Sequence, residues 1–205
     1  MRRNLPIGVR QLLRVGRHLV RRGEASPSLP AHLIEGCRFS ASRYDLVAAL
    51  PAAGRIAEIG TFKGDFARHI LASCNPHELH LVDLDFSLLD PAVARDGRVR
   101  AHAGQSHAVL AAFPDDYFDW IYIDADHSYV GTSRDAAAAA AKVKAGGYLI
   151  FNDFAHCDPY LGAYGVHRAV VDFALKQDWP FAWFAYEGNA LYDVALKRPL
   201  PAVPA

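Results

Sequence analysis

RIAEIGTFKGDFARHILAS, residues 55–73, is the stretch on which the fold turns. RIAEIG is short and mostly apolar, as a buried strand should be, and DFARHILAS has a helix-like pattern. Between them Gly60 and Gly64 permit a tight turn. A strand passing through a glycine turn into a helix is the first half of a βαβ unit.

The alternation continues outward from this point. ELHLVDLD, RVRAHAG, DWIYID and GYLIFND have the strand pattern, and SLLDPAVA, SHAVLAAF, SRDAAAAAAKVKAGG and YGVHRAVVDFALKQ are helix-like. Repeated strand and helix units predict a parallel sheet covered on both faces, whose strands are accordingly mostly apolar. The Ala136–Ala141 run reads as a complete helix, with Ser133 as N-cap and Gly146–Gly147 as its stop. SASRYDLVAALP is a helical segment leading into the first strand.

The ending differs. FAWFAY and ALYDVALKR are strand-like and separated only by the turn-prone Glu187, Gly188 and Asn189, so if they pair they do so antiparallel. The expected fold is a Rossmann-like, doubly wound α/β sheet, mostly parallel, with a C-terminal antiparallel hairpin.

The chain has 205 residues, 52% of them hydrophobic, enough for one ordinary domain with a sizeable core. That domain is expected over residues 40–198, after a basic helical segment and linker (1–39) and before a short tail (199–205). Lys plus Arg equals Asp plus Glu at 22 each, which gives no whole-chain argument for nucleic acid. Cys37, Cys74 and Cys157 are few, odd in number and far apart, which argues against a disulfide framework or a cysteine zinc site and favours a cytoplasmic setting. No apolar stretch approaches the roughly 20 residues needed to span a bilayer. Residues 1–23 nonetheless hold seven arginines and no acid, interleaved with Ile7, Leu12, Leu13, Val15, Leu19 and Val20. An amphipathic helix there either docks on anionic lipid or a partner, a second copy of the chain included, or packs on its own domain; the remaining alternative is a frayed terminus. Ser26, Pro27, Ser28 and Pro30 form the expected linker.

Ligands of doubly wound sheets bind beyond the carboxyl ends of the strands, so chemistry is sought just after each one. The first turn lacks both the Gly-Lys-Ser/Thr of a phosphate loop and the GxGxxG of a dinucleotide site. Glu58 places a negative charge at that strand end, which would repel a pyrophosphate and suit a cationic ligand. At the second strand end Asp83, with Asp85 as fallback, is placed to accept hydrogen bonds from ribose hydroxyls. In the third turn Gln105 and Ser106, after Gly104, can bracket an adenine ring.

AEIGTFKGDFA, LHLVDLD, AGQS, DWIYIDADHSY and KAGGYLIFND together resemble the class I S-adenosylmethionine-dependent methyltransferases, particularly bacterial O-methyltransferases similar to those that modify sugars and macrolides. The resemblance covers roughly residues 40–198. It implies S-adenosylmethionine as cofactor, with Glu58, Gly60 and Gly64 around its methionine part, Asp83 at the ribose, and Gln105 with Ser106 at the adenine. Gln105 departs from the aspartate frequent in such enzymes, though an amide can still donate and accept.

DWIYIDADHSY gathers Asp124, Asp126 and His127 at the fourth strand end. Methyl transfer to an alcohol needs the acceptor aligned and its proton removed, and His127 is the candidate general base, with Asp124 beside it. In enzymes resembling this chain, a D-x-D-H-S-Y-like segment puts its histidine near the acceptor hydroxyl. The competing reading makes His127 a turn cap and Tyr129 a packing residue. Asp124 and Asp153 end successive strands and offer two hard oxygen ligands to Mg²⁺. Phe154 stands where metal-dependent relatives often carry a third ligand, so Asp126, Asn152 or water would complete a metal sphere; otherwise the aspartates orient His127 without metal. His156 and His167 read as loop and helix-surface residues, and Tyr160 and Tyr164 either stack on an acceptor or pack in their loop. Adjacency of His156 and Cys157 does not make a nucleophilic pair. The chain thus reads as a methyltransferase acting on a small-molecule hydroxyl. The alternatives are a non-catalytic cofactor- or partner-binding module and an NAD-linked oxidoreductase.

Overall fold

The computed structural model describes residues 27–158, 162–188 and 190–201. The arginine-rich segment, Ser26, Tyr160 and Asn189 lie outside the described residues, as does most of the tail.

Strands β1 (Arg38–Ser40), β2 (Arg55–Ile59), β3 (Glu78–Asp83), β4 (Val99–Ala103), β5 (Phe118–Ile123), β6 (Val143–Phe151), β9 (Phe181–Glu187) and β10 (Ala190–Lys197) form one eight-stranded sheet. Its order is β1-β9-β10-β6-β5-β2-β3-β4. From β4 to β6 the pairing is parallel. β10 runs antiparallel to both β6 and β9, which gives the expected mostly parallel sheet with a terminal hairpin. A small separate pair, β7 (Cys157–Asp158) with β8 (Gly162–Ala163), lies in the loop after β6.

The alternation of side chains across the sheet makes two cores. Ala57, Ile59, Ile121, Ile123, Leu149 and Phe151 face one, covered by α4 (Ser106–Ala111), α5 (Tyr129–Ala140) and α6 (Val166–Gln177). Ile56, Leu79, Leu81, Trp120, Tyr122 and Ile150 face the other, beneath α1 (Arg43–Ala48), α2 (Asp65–Ser73) and α3 (Pro91–Ala94). Both faces are buried, so the strands are apolar throughout rather than alternating.

Two local expectations, the two ends of one helix, are corrected. Helix α5 starts at Tyr129, capped by Ser128, whose hydroxyl accepts from the Gly131 amide; Ser133 lies inside it. Gly146–Gly147 do not stop this helix, which ends at Ala140. They fall inside β6, beside a register irregularity against β5. The sheet also has an extra edge strand, β1, parallel to β9, two residues upstream of the expected domain start. Three residues are too few to show a period.

Candidate active site

The parallel ladder continues past the strand ends and fixes the turns that follow. The Gly60 amide donates to the Val82 carbonyl at 2.8 Å, and the Asp124 amide donates to the Ile59 carbonyl at 2.8 Å. Gly60 has φ 87°, and a side chain there would strike the Asp124 carbonyl. Gly64, also left-handed at φ 83°, is the N-cap of α2, and a Cβ would press on Leu89. Both glycines of the turn are therefore required by backbone angle and by space.

A cavity of about 660 Å³ opens above these turns. Glu58, Gly60, Gly64's neighbours Lys63 and Asp65, Asp83, Gln105, Ser106, Asp124 and Asp126 line it. Successive strand ends thus bring the sequence-predicted cofactor residues to one place, with Gly64 shaping the wall from behind.

Asp83 does more than face the cavity. Its Oδ2 accepts from the Thr61 and Phe62 amides at 2.9 and 2.8 Å, and its Oδ1 accepts from Leu84 at 2.7 Å. The carboxylate ties the glycine turn to β3, with Oδ2 taken up by two amides and Oδ1, held by one short bond, the oxygen with capacity for a ligand. Asp85 turns away to hold the Ser87 amide and hydroxyl. The Ser106 hydroxyl donates to Asp135 at 2.5 Å, so the Ser106 backbone is what it offers the cavity. Gln105 is the N-cap of α4.

Glu58 is buried, and its Oε2 has no hydrogen-bond partner. Burial, reinforced by the Asp124 charge, pushes it well above the usual carboxylate range. A cationic ligand would restore its charge.

At the next strand end His127 Nε2 lies 3.1 Å from Asp124 Oδ1 and 3.5 Å from Asp153 Oδ2. A carboxylate accepts here, so Nε2 carries the proton and Nδ1 is the basic nitrogen. The hydrogen bond to Asp124 raises the His127 pKa above 6.5, against the opposing effect of burial. Tyr164 stacks on the ring at 4.8 Å and 7°. The His127 carbonyl accepts from the Gly165 amide at 2.9 Å, which locks the segment to the start of α6. The turn is capped by its neighbours instead: Asp126 accepts from the Ser128 amide, and Ser128 caps α5. Tyr129 donates to Asp172. Asp153 has φ 58°, an uncommon setting for a residue with a side chain and one that asparagine and aspartate tolerate best.

Among the described residues no group of three or more His, Cys, Asp or Glu side chains is arranged to hold a metal ion. The expected Mg²⁺ pair, Asp124 and Asp153, is bridged by the His127 imidazole. Asn152 donates its amide to Tyr122 and Asp193, Asp126 is occupied by Ser128, and Phe154 is buried. As placed, these donors do not fit a resident Mg²⁺, whose octahedral preference calls for more free oxygens. His156 is held by Tyr192 at 2.9 Å, and His167, exposed on α6, packs on Phe154.

Two features escaped the sequence reading. Arg43, the first residue of α1, lines the cavity with Nη1 3.9 Å from Asp124 Oδ2 and its guanidinium 4.8 Å above the Phe66 ring. Beneath it Tyr122 donates to Asp193 at 2.5 Å. Asp193 is fully buried, which pushes it up to about 7 despite the Tyr122 hydrogen bond. An arginine opening a helix and an aspartate in a strand carry no local signal of their distant partners.

Residues 57–154 match a family model described as a methyltransferase domain. Among solved structures, N-methyltransferase NodS from Bradyrhizobium japonicum WM9, in complex with S-adenosyl-L-homocysteine, is similar at a TM-score of 0.60 and 14% identity, over 77% of this chain and 86% of NodS. An O-methyltransferase family protein from Burkholderia thailandensis has a TM-score of 0.58 at 14% identity, over 78% of this chain and 56% of its own. A SAM-dependent methyltransferase from Methanosarcina mazei has a TM-score of 0.54 at 16% identity, over 71% and 92%. These likenesses show a shared fold. No curated protein matches the sequence. The domain match and this sheet order give residues 57–154 as a methyltransferase domain on a Rossmann-like fold, which supports methyl transfer as its chemistry.

Proposed function

We propose that the protein methylates a hydroxyl of a small-molecule acceptor, of the sugar or macrolide kind, with His127 as general base. The observation that carries this reading is the His127 imidazole itself. It is held through Nε2 by Asp124 and Asp153 and braced by Tyr164, at the strand end next to the cavity. S-adenosylmethionine supplies an activated methyl when bound. Glu58, Gly60 and Gly64 surround its methionine end, Asp83 meets the ribose hydroxyls, and Gln105 with the Ser106 backbone meets the adenine. His127 Nδ1 takes the proton of the acceptor hydroxyl as the oxygen attacks, and the positive charge formed on the ring is stabilised by the two aspartates. The imidazole does this work without a metal, so turnover should survive a strong chelator.

The amphipathic N-terminal segment is then a surface for a second copy of the chain or another partner, and the setting is cytoplasmic. Among the described residues no helix is long and apolar enough to cross a membrane. The test is methyl transfer to a panel of hydroxyl acceptors, with S-adenosylmethionine binding measured in parallel. Transfer lost in His127→Ala with binding retained would support the reading. Transfer to amines but never to hydroxyls, or full activity in His127→Ala, would remove it.

A further inference from the structure

A buried polar network lies beneath the site, and the proposed chemistry makes no use of it. At its centre is Asp193 in β10, fully buried. The register of β10 against β9 slips between Leu191 and Asp193, leaving Tyr192 as an extra residue, and a bulge of this kind re-aims the side chains beside it. Asp193 Oδ2 accepts from the Tyr122 hydroxyl of β5 at 2.5 Å, and Oδ1 accepts from the Asn152 amide, just past β6, at 2.9 Å. Both partners donate, so the arrangement suits a carboxylate that carries its charge. A buried charge is costly unless a cation balances it.

Arg43 is that cation. Burial pushes Asp193 up, and the Tyr122 hydrogen bond, the Arg43 charge and the Asn152 hydrogen bond oppose the rise. Arg43 is also fixed in place. Ser42 caps α1 by accepting from the Asp45 amide, so Arg43 opens the helix at the cavity wall. Its guanidinium lies over the Phe66 ring at 4.8 Å, and Phe66 packs on the Tyr122 ring at 4.4 Å. Nη1 then stands 3.9 Å from Asp124 Oδ2, near enough for charge attraction and too far for a hydrogen bond. The other oxygen of Asp124, Oδ1, is the one 3.1 Å from His127 Nε2.

We propose that Asp193 is a positioning residue for methyl transfer: with Tyr122 it holds Arg43 back from Asp124, which leaves Asp124 free to orient the His127 imidazole. The inference rests on His127 being the base. Arg43 is shared between two carboxylates, and without the charge of Asp193 it would close on Asp124 and compete with His127 for it. A buried ion pair adds little net stability, so geometry is what this one contributes. Arg43 and Asp193 both lie outside residues 57–154, so segments flanking the matched domain act on a His127–Asp124 pair within it.

The competing assignment makes the network a support for the cavity wall and nothing more. The experiment compares the full chain with its Asp193→Asn variant, which keeps the shape and removes the charge. Ring-nitrogen NMR shifts read the histidines without any acceptor, calorimetric titration reads S-adenosylmethionine affinity, and the panel of hydroxyl acceptors reads transfer. In Asp193→Asn the His127 ring nitrogens should shift while those of His80 and His102 stay in place. Transfer should fall by about 10- to 100-fold, the scale of a misplaced reacting group, with cofactor affinity falling less. Tyr122→Phe should reproduce both changes, and the double variant should be no worse than either single one, because the two residues act as a unit. An unmoved His127 ring in folded Asp193→Asn, or equal losses of binding and transfer, overturns the inference and leaves the base assignment standing. Full transfer by His127→Ala removes the base assignment and the inference with it. Should Asp193→Asn fail to fold, Tyr122→Phe, which loses only a hydroxyl, carries the same outcomes.

Discussion

Two histidine sites in this molecule differ in what surrounds the ring. His80 in β3 is 4% exposed, with Nδ1 3.0 Å from His102 Nε2 in β4. The pair stacks at 5.2 Å, and Phe113, Tyr117 and Phe118 present edges to His80 at 5.1, 5.6 and 5.4 Å. Burial lowers the pKa of both histidines, for His80 with help from the charge of its neighbour. His127 is also half-buried, yet its Nε2 faces two carboxylates and its pKa is raised. An imidazole buried beside a second imidazole and aromatic rings loses proton affinity even with Glu78 3.6 Å from its Nε2, whereas one between two carboxylates gains proton affinity and can serve as a base.

The largest expected effect comes from deleting each ring in turn. His127→Ala should lower methyl transfer by about 100- to 10,000-fold, the range for loss of a general base, with cofactor affinity and melting temperature nearly unchanged. His80→Ala should do the reverse. It should cost about 2–3 kcal/mol of stability in a denaturant titration, from the emptied aromatic cluster, and leave transfer by the remaining folded enzyme intact. If His80→Ala abolished transfer in folded protein, the contrast between the two sites would be wrong.

The pH dependence of the two sites should run in opposite directions. His80 and His102 have folded pKa values below 6.5, so their stability contribution is present above 6.5 and is lost as pH falls through the folded values. His127 has a folded value above 6.5, so its contribution is full below 6.5 and is lost as pH rises through that value. As a base it must be unprotonated, so kcat/KM should climb through a limb above 6.5. Thermal melts and rates collected between about pH 5 and 8 would separate the two windows. A rate limb below 6.5 would break the link between His127 and Asp124.

Smaller effects sharpen that link. Asp124→Asn removes the main cause of the raised His127 value, so the acid limb should move toward lower pH as overall rate declines. Asp153→Asn should move it the same way by less, because Asp153 acts by charge at 3.5 Å and ranks below Asp124 among the causes. An NMR titration of the His127 ring in both variants would read the order directly.

The legible part of the site was the part written at strand ends. Glu58 and Asp83 sit in the last residues of strands that the sequence marks, Gln105 and Asp124 just after them, and a parallel sheet aligns those ends on one edge, so their convergence follows from topology alone. Ser106 shows the limit of this logic: its position was legible, but its hydroxyl is taken by Asp135, 29 residues away on another helix. The two aspartates expected to share a metal are likewise near each other, and only the placement of the His127 ring between them decides what they do.

The sequence by itself determined the order of strands and helices, the parallel sheet, the glycine turn and the closing hairpin. Each is encoded by local periodicity or by a residue such as Gly60 whose backbone angle few others adopt. Tertiary structure alone decided the start of α5, the edge strand β1, the reach of Arg43 into the cavity, and the pairing of Tyr122 with Asp193 and of His80 with His102. In these pairings the partners are 22 to 71 residues apart. A side chain's burial and proton affinity depend on neighbours brought by the packed sheet, and no local pattern names them.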